Sequence, residues 1–289
     1  MNSASWLPDT WWTPSLYRVS DSTELVVRLH PDEGRPVMLV HGLASNALLW
    51  RHVAENLASR GHAVAVVDLR GHGLSERPNH GYSTGGASSD IADLTLSLGW
   101  AERKPLLVGQ SWGGNVAIRS AAALPNLWGG VVCVDGGWIH LQHRFGSFEE
   151  CWQALTPPGF AKATPEQVLT RLRLAFADWP PYSVEAVLGN LEVVDGRVQN
   201  RLNLAHHRSI VQSLWEDDPA EDYPHVSVPV QLLVAGQSHS DDVDRACSLL
   251  RDATARWYPD AHHDLHLQRP SEVTAEILNV ANRVAGSST

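Results

Sequence analysis

One serine of this chain stands in a pattern that is typical of a catalytic nucleophile. Residues 109–113 read Gly-Gln-Ser-Trp-Gly and lie between the apolar run 105–108 and a helical pattern of small residues that begins at Asn115. Glycines at these two positions favour a very tight strand-to-helix turn, because a Cβ there would be crowded. Such a turn strains the serine and projects its hydroxyl from the end of the strand. The sequence therefore predicts that Ser111 is a nucleophile.

A serine hydroxyl is a weak nucleophile at neutral pH. It needs a base that accepts its proton, a group that orients the base, and N–H donors for the oxyanion that forms. Histidine suits the role of base because its pKa lies near 7. The chain contains fifteen histidines, so residue type alone does not identify the base.

Two further motifs precede this serine. Residues 37–42 form an apolar run that ends in His-Gly, and residues 63–75 form a second run that continues as Asp-Leu-Arg-Gly-His-Gly-Leu-Ser. In order and distance, these motifs and the turn at Ser111 resemble the α/β-hydrolase family, and the resemblance resumes in the loop 260–266. It implies a mostly parallel eight-stranded sheet with helices on both faces, a helical cap after the sixth strand, and no cofactor.

The resemblance assigns the catalytic base to His263, in the loop after the last strand. His262 and His266 are the neighbouring alternatives. Together with Asp264 these histidines also allow a metal-binding interpretation. Metal sites usually draw ligands from separate elements, and no second cluster with ligand spacing is present, so the sequence predicts no metal.

The orienting acid departs from the commonest family pattern. Most relatives carry an Asp three residues after a glycine that follows the seventh strand, but here Gly236 is followed by His239. A minority of the family places the acid after the sixth strand, where this chain has Asp135, and we predict that residue. Asp241 and Asp242 remain alternatives that need a longer loop. Asp135 also has a structural interpretation, as an acceptor for backbone donors of the following turn.

The resemblance implies an oxyanion hole made by the backbone N–H groups of Leu43 and Trp112. His41 is interpreted as a residue that holds its loop by hydrogen bonding. Three polar residues of the second motif are interpreted as a turn network, because buried polar groups need partners; they are Asp68, Arg70 and His72.

Twelve tryptophans are many for this chain, and several fall near the predicted site. Trp138, Trp152 and Trp179 are predicted to line a pocket for a small-molecule substrate with an apolar or aromatic portion. The alternative is that they pack the cap onto the core.

Strand and helix patterns alternate along the chain, which indicates a parallel sheet covered on both faces. Strand patterns occur near 16–20, 24–29, 37–41, 63–68, 105–110, 130–135, 229–235 and 255–258, and helical patterns near 48–60, 87–98, 114–124, 241–251 and 271–284. The stretch 138–218 shows no strand pattern and three short amphipathic helices, near 166–177, 183–191 and 207–215. We therefore predict a core in two parts, 1–137 and 219–289, with a helical cap at 138–218.

Composition narrows the partners and the location. The chain has 289 residues, 43% of them hydrophobic, and a formal net charge of −10, without a basic cluster for nucleic acid. No apolar run approaches the length of a membrane span, and the first eight residues lack a leader pattern, so a cytoplasmic protein is expected. The three cysteines suggest no disulfide framework. The oligomeric state stays open.

These residues predict an enzyme that cleaves a carboxylic ester, a lactone or a thioester through an acyl-enzyme on Ser111. Two alternatives use the same fold: a cofactor-free dioxygenase or C–C bond hydrolase, and a small-molecule receptor that turns over slowly. Haloalkane dehalogenase and epoxide hydrolase activities are disfavoured. A resemblance to either class of enzyme would require a carboxylate nucleophile at position 111, where this chain has a serine.

Overall fold

An eight-stranded sheet runs through the computed structural model, which describes residues 11–157, 159–160, 163–237 and 240–286. Its strands are β1 (Pro14–Arg18), β2 (Glu24–His30), β3 (Gly34–Val40), β4 (His62–Asp68), β5 (Leu106–Gln110), β6 (Gly130–Val134), β9 (Val230–Ala235) and β10 (Ala253–Tyr258). They stand in the spatial order β1-β2-β4-β3-β5-β6-β9-β10. Only β2 pairs antiparallel with its neighbours. The predicted α/β-hydrolase fold is confirmed.

The central strands are mostly apolar because both faces of the sheet are covered. Every residue of β5 and β6 is buried. Successive residues of β3 enter different clusters, with Met38 and Val40 in one and Val37 and Leu39 in the other. Since side chains alternate across a strand, these clusters are the two faces of the sheet.

Helices cover both faces. The helices are α1 (Arg51–Ala58), α2 (Thr84–Ser97), α3 (Trp112–Ala123), α4 (Phe148–Leu155), α5 (Pro165–Ala175), α6 (Ser183–Leu188), α7 (Leu204–Glu216), α8 (Ser240–Leu249), α9 (Leu265–Gln268) and α10 (Pro270–Gly286). Helices α2, α3 and α8 contribute to the first cluster, whereas α1 and α10 contribute to the second. The carboxyl ends of the parallel strands stay free to carry polar loops.

The stretch between β6 and β9 differs from the prediction in one respect. It contains a two-stranded hairpin, β7 (Leu191–Val194) and β8 (Arg197–Asn200), where no strand was predicted. The hairpin turns at Asp195 and Gly196, whose φ angles are 50° and 76°. Asp-Gly is the dipeptide that favours such a turn, because both central residues need positive φ. The prediction of a strand-free stretch was wrong, because two strands of four residues are too short to show a clear strand pattern and only the turn marks them.

Within the described residues, no helix is long and apolar enough to cross a membrane. All three cysteines are free thiols, and Cys133 and Cys151 are buried. The first eight residues, on which the expected absence of a leader rests, lie outside the described residues, as does His239.

Candidate active site

Ser111 occupies the turn between β5 and α3. Its φ and ψ are 53° and −123°, a combination that costs a non-glycine residue about 1–3 kcal/mol. A methyl group placed on Gly109 would lie 2.0 Å from the carbonyl oxygen of Gly113, and one on Gly113 would lie 2.6 Å from that of His41. The Ser111 N–H donates to the carbonyl of Val134 at 2.9 Å. The two glycines are therefore required by close backbone packing, as the sequence predicts.

Asp135 follows β6, the strand that pairs with β5. Its φ is 46°, in the left-handed region that Asp tolerates better than most residues. Carboxylate Oδ1 accepts the N–H of Ala235 at 3.0 Å, and Oδ2 lies 2.6 Å from Nδ1 of His263. The side chain is 6% exposed. One oxygen therefore holds a backbone N–H of β9, and not one of the turn after Asp135, while the other faces His263.

His263 lies in the loop between β10 and α9, with about half of its side chain exposed. Because the Asp135 carboxylate can only accept, Nδ1 of His263 must donate, which leaves Nε2 of the neutral ring as an acceptor. Burial lowers the pKa of this histidine, but the hydrogen bond and charge of Asp135, aided by the charge of Asp264, outweigh it and raise the pKa above 6.5. Asp264 was not predicted as a site residue, although it is adjacent in sequence.

The alternative acids face other partners. Oδ1 of Asp242 lies 2.7 Å from Nδ1 of His143, and Asp241 accepts a hydrogen bond from the Ser240 hydroxyl at 3.3 Å. Both aspartates belong to the first turn of α8. The carboxylate on His263 is that of Asp135.

The neighbouring histidines have different surroundings. The His262 side chain is 58% exposed and lies 3.8 Å from the Asp264 carboxylate. His266 is fully buried against the ring of Trp50, and burial lowers its pKa to about 3. In the part of the chain that the structure describes, no group of three or more histidines, cysteines or acids comes together as a metal site.

Two backbone segments lie close to Ser111, and the oxyanion hole of Leu43 and Trp112 stays a prediction. Trp112 is the first residue of α3, where N–H groups have no acceptor within the helix. The loop of Gly42 and Leu43 also lies close, since a methyl group on Gly42 would come within 2.9 Å of Cβ of Ser111. Trp112 itself is fully buried, and its indole N–H donates to Oγ1 of Thr84.

Two buried histidines hold the Gly42 loop. Nε2 of His41 accepts the N–H of Leu69 at 3.0 Å, so its Nδ1 donates to the carbonyl of Gly42 at 2.7 Å. Nε2 of His72 accepts the N–H of Ala44 at 3.2 Å. Burial lowers the pKa of His41 to about 4 and that of His72 to about 3, so both rings are neutral at pH 7. Their hydrogen bonds connect the Gly42 loop to the turn after β4.

Asp68 and Arg70 complete that turn. Oδ1 of Asp68 accepts the N–H of Ala47 at 2.7 Å, and Oδ2 accepts that of Leu74 at 3.1 Å. The guanidinium of Arg70 makes two hydrogen bonds to Asp90, at 2.7 and 2.5 Å. Asp68 and Arg70 therefore make structural hydrogen bonds of the kind predicted for the turn network.

The three predicted pocket tryptophans lie in different surroundings. Trp138 is 2% exposed and packs in the first core cluster. The ring of Trp152 is edge-on to His207 at 5.9 Å. Trp179 is edge-on to His262 at 5.0 Å, so it contacts the loop that carries His263.

Comparison with known proteins supports the same family. A model of the alpha/beta hydrolase family matches residues 37–277. A 2-(acetamidomethylene)succinate hydrolase of Mesorhizobium japonicum is 39% identical over 101 residues, a match that covers 35% of each chain. An sn-1-specific diacylglycerol lipase of Danio rerio is 28% identical over 260 residues, covering 85% of this chain and 78% of the lipase.

Among solved structures, that of an E-2-(acetamidomethylene)succinate hydrolase is similar in fold. It superposes with a TM-score of 0.76 at 24% identity and covers 93% of this chain and 100% of the other. The family model spans most of the chain, including the turn at Ser111, Asp135 and the His263 loop. The chain therefore belongs to the alpha/beta hydrolase family.

Proposed function

We propose that the protein is a serine hydrolase that cleaves a carboxylic ester, a lactone or a thioester through an acyl-enzyme on Ser111. One observation carries the proposal: the Asp135 carboxylate lies 2.6 Å from Nδ1 of His263, on the strand next to the one that ends at Ser111. That contact fixes the ring tautomer in which Nε2 can accept a proton. A serine in a strained turn and an imidazole fixed in this tautomer are two parts that nucleophilic catalysis requires.

In the proposed reaction, Nε2 of His263 takes the hydroxyl proton of Ser111 as its oxygen adds to the substrate carbonyl carbon. The N–H groups of Trp112 and Leu43 donate to the oxyanion. When the tetrahedral intermediate collapses, the bond to the leaving oxygen or sulfur breaks, and that atom takes the proton from His263. Water then adds to the acyl-enzyme by the same route, which releases the acid and restores Ser111.

The charge of Asp135 supports the step in which His263 becomes an imidazolium. The same contact that raises the pKa of the free histidine stabilises this cation during attack. His41 and His72 are neutral and keep the Gly42 loop in place without adding positive charge of their own.

We propose that residues 138–218 form a cap over the core and that the substrate's apolar portion binds beneath it. Support comes from contacts of this stretch with the His263 loop and with α9, the helix that follows it. Trp179 lies against His262, and the hydroxyl of Tyr182 donates to the carbonyl of Leu267 at 3.1 Å. Pocket roles for Trp138 and Trp152 stay predictions. The diacylglycerol lipase among the relatives favours an ester over other acyl compounds.

Labelling with a fluorophosphonate tests the nucleophile directly. Mass mapping should find the modification on Ser111, and Ser111→Ala should abolish labelling and lower turnover of short acyl esters by on the order of 10⁴ or more. Ser89→Ala is the matched control, because Ser89 is exposed on α2 and its hydroxyl bonds only locally, to Gly85.

Each contrary result points to one alternative. Ester turnover that survives Ser111→Ala contradicts the acyl-enzyme. Activity that consumes oxygen and survives the same change supports the cofactor-free dioxygenase. Labelling of Ser111 without steady turnover of any ester supports the receptor.

A further inference from the structure

Gln110, the last residue of β5, lies between the two loops that must meet at Ser111. Its side chain is 2% exposed, and Nε2 donates to the main-chain carbonyl of His263 at 3.3 Å. On the other side, a methyl group on Gly42 would lie 2.6 Å from Oε1 of Gln110. One buried amide therefore contacts the loop of the base and the loop of the oxyanion donors.

The orientation of this amide follows from its partner. The carbonyl of His263 can only accept, so the NH₂ group faces it and Oε1 faces Gly42. A buried amide that loses its partner costs about 1–3 kcal/mol, which keeps the amide in place. Gln110 also directly precedes Ser111 in the chain. Its side chain therefore sets the distance of both loops from Ser111.

His263 depends on such polar contacts for its position. About half of its side chain is exposed, so packing alone does not hold the ring. Asp135 fixes the ring through Nδ1, whereas Gln110 fixes the main chain of the same residue. Misplacing a catalytic group by about 1 Å can cost about 10²-fold in rate, so the main-chain contact matters for catalysis.

We infer that Gln110 is a positioning residue that holds the His263 loop and the Gly42 loop at a fixed distance from Ser111. This inference rests on the proposed function, because it concerns the base and the oxyanion donors of that reaction. Gln110 acts through the main chain and not through the protonation of the ring. Its loss should therefore lower the rate without moving the pH at which the base ionises.

Gln110→Met tests this inference, because methionine keeps the length of the side chain and lacks the amide. We expect kcat/KM for a short ester to fall by about 10- to 100-fold, mainly through kcat, with the acidic limb of the pH profile unmoved. Gln231→Met is the matched control. Gln231 is also a buried glutamine of this sheet, with Thr254 as its partner at 2.7 Å, but it lies near the start of β9. We expect it to keep the rate within about threefold.

A second variant and a double variant guard against a fold defect. Gln110→Glu keeps the size, and its carboxylate cannot donate to the His263 carbonyl, so it should lose a similar factor. In a His263→Ala background, Gln110→Met should cost less than about threefold, because residues that act as a unit are not additive. Circular dichroism and thermal unfolding check that each variant is folded.

A folded Gln110→Met with wild-type kcat overturns the inference, as does an additive loss in the His263→Ala background. Neither result touches the proposed function as long as Ser111→Ala is inactive. Full activity of Ser111→Ala overturns the proposed function, whatever Gln110→Met shows.

Discussion

At the scale of single residues, the Asp135 carboxylate has two tasks that substitution can separate. Oδ1 holds the N–H of Ala235 and thereby the end of β9, whereas Oδ2 faces His263. An asparagine can still accept the backbone N–H through its carbonyl oxygen. Its NH₂ group would then face Nδ1 and favour the opposite tautomer of the ring.

Asp135→Asn should therefore fold and lower the rate of ester hydrolysis by on the order of 10³ to 10⁴. Asp242→Asn is the control, because Asp242 bonds to His143, and it should keep most of the activity. Steady-state kinetics and thermal unfolding of both variants check this prediction. A large loss in Asp242→Asn, with Asp135→Asn active, would assign the role of the acid to Asp242 in α8.

The pH dependence follows from the raised pKa of His263. Only the neutral ring accepts a proton. We therefore expect kcat/KM to fall as the pH drops below the pKa of His263, which lies above 6.5. Asp135→Asn removes the largest of the effects that raise this pKa, so the acidic limb of its residual activity should move to lower pH. A pH profile of both proteins measures the shift, and an unmoved limb would show that Asp135 does not act on the ring.

At the scale of elements, the central strands were predictable because their apolar runs are nearly continuous, and each predicted strand lies within a few residues of an observed one. The hairpin β7–β8 was missed although Asp195 and Gly196 carry a turn signal. Helix α4 was also missed, although Ser147 caps it by accepting the N–H of Glu150. Short elements with mixed patterns need such local signals, because they bury too little to show a period.

The site was only partly predictable for a related reason. The sequence places Ser111 and Asp135 at the ends of neighbouring strands, where the fold alone brings them close. The contact between Gln110 and the carbonyl of His263 joins residues 153 positions apart, and it depends on the path of one loop. No pattern along the chain encodes that path.

Gly136 tests how tightly the elements pack below the site. A methyl group on this glycine would lie 2.1 Å from the carbonyl oxygen of Ser111, so backbone would have to move. Gly136→Ala should lower the free energy of unfolding by about 1–3 kcal/mol and reduce activity by displacing the serine.

Gly85→Ala is the control for that substitution. Gly85 lies in α2, and its added methyl group would meet only the Ser83 hydroxyl, at 3.9 Å. Because alanine favours a helix over glycine by about 1 kcal/mol, this variant should be at least as stable as the parent. Urea denaturation compares the two. Equal stability of Gly136→Ala and the parent would contradict the close packing.

At the scale of the whole molecule, histidines dominate the response to mild acid. Seven of them have a pKa below 6.5, and burial is the main cause in each case. These residues are His41, His52, His72, His140, His206, His207 and His266. In the unfolded chain these rings take up protons as the pH falls through 6.5, whereas the folded protein resists protonation. Unfolding is therefore favoured by acid.

The free energy of unfolding should fall as the pH drops from about 6.5 towards 4, with a slope of up to about 1.4 kcal/mol per pH unit for each ring that stays neutral in the fold. His263 acts in the opposite sense, because its raised pKa contributes stability below pH 6.5 that is lost as the pH rises through the folded value. Urea titrations across this pH range measure the free energy of unfolding, which contains both contributions. A stability that is flat over the range would contradict neutral burial of these rings.

The buried thiol of Cys133 can be used to detect local opening of the protein, because it is free and shielded from solvent. Cys133 is fully buried in β6, two residues before Asp135, and its Sγ lies 3.7 Å from the carbonyl oxygen of Gly114 in α3. Burial raises the pKa of this thiol, so it is inert while the sheet and the helix stay together. A thiol reagent can reach it only when the packing around this thiol opens, and its contact with α3 is part of that packing. The rate of its modification thus measures how often the packing next to the turn of Ser111 opens, in a protein that carries no added label.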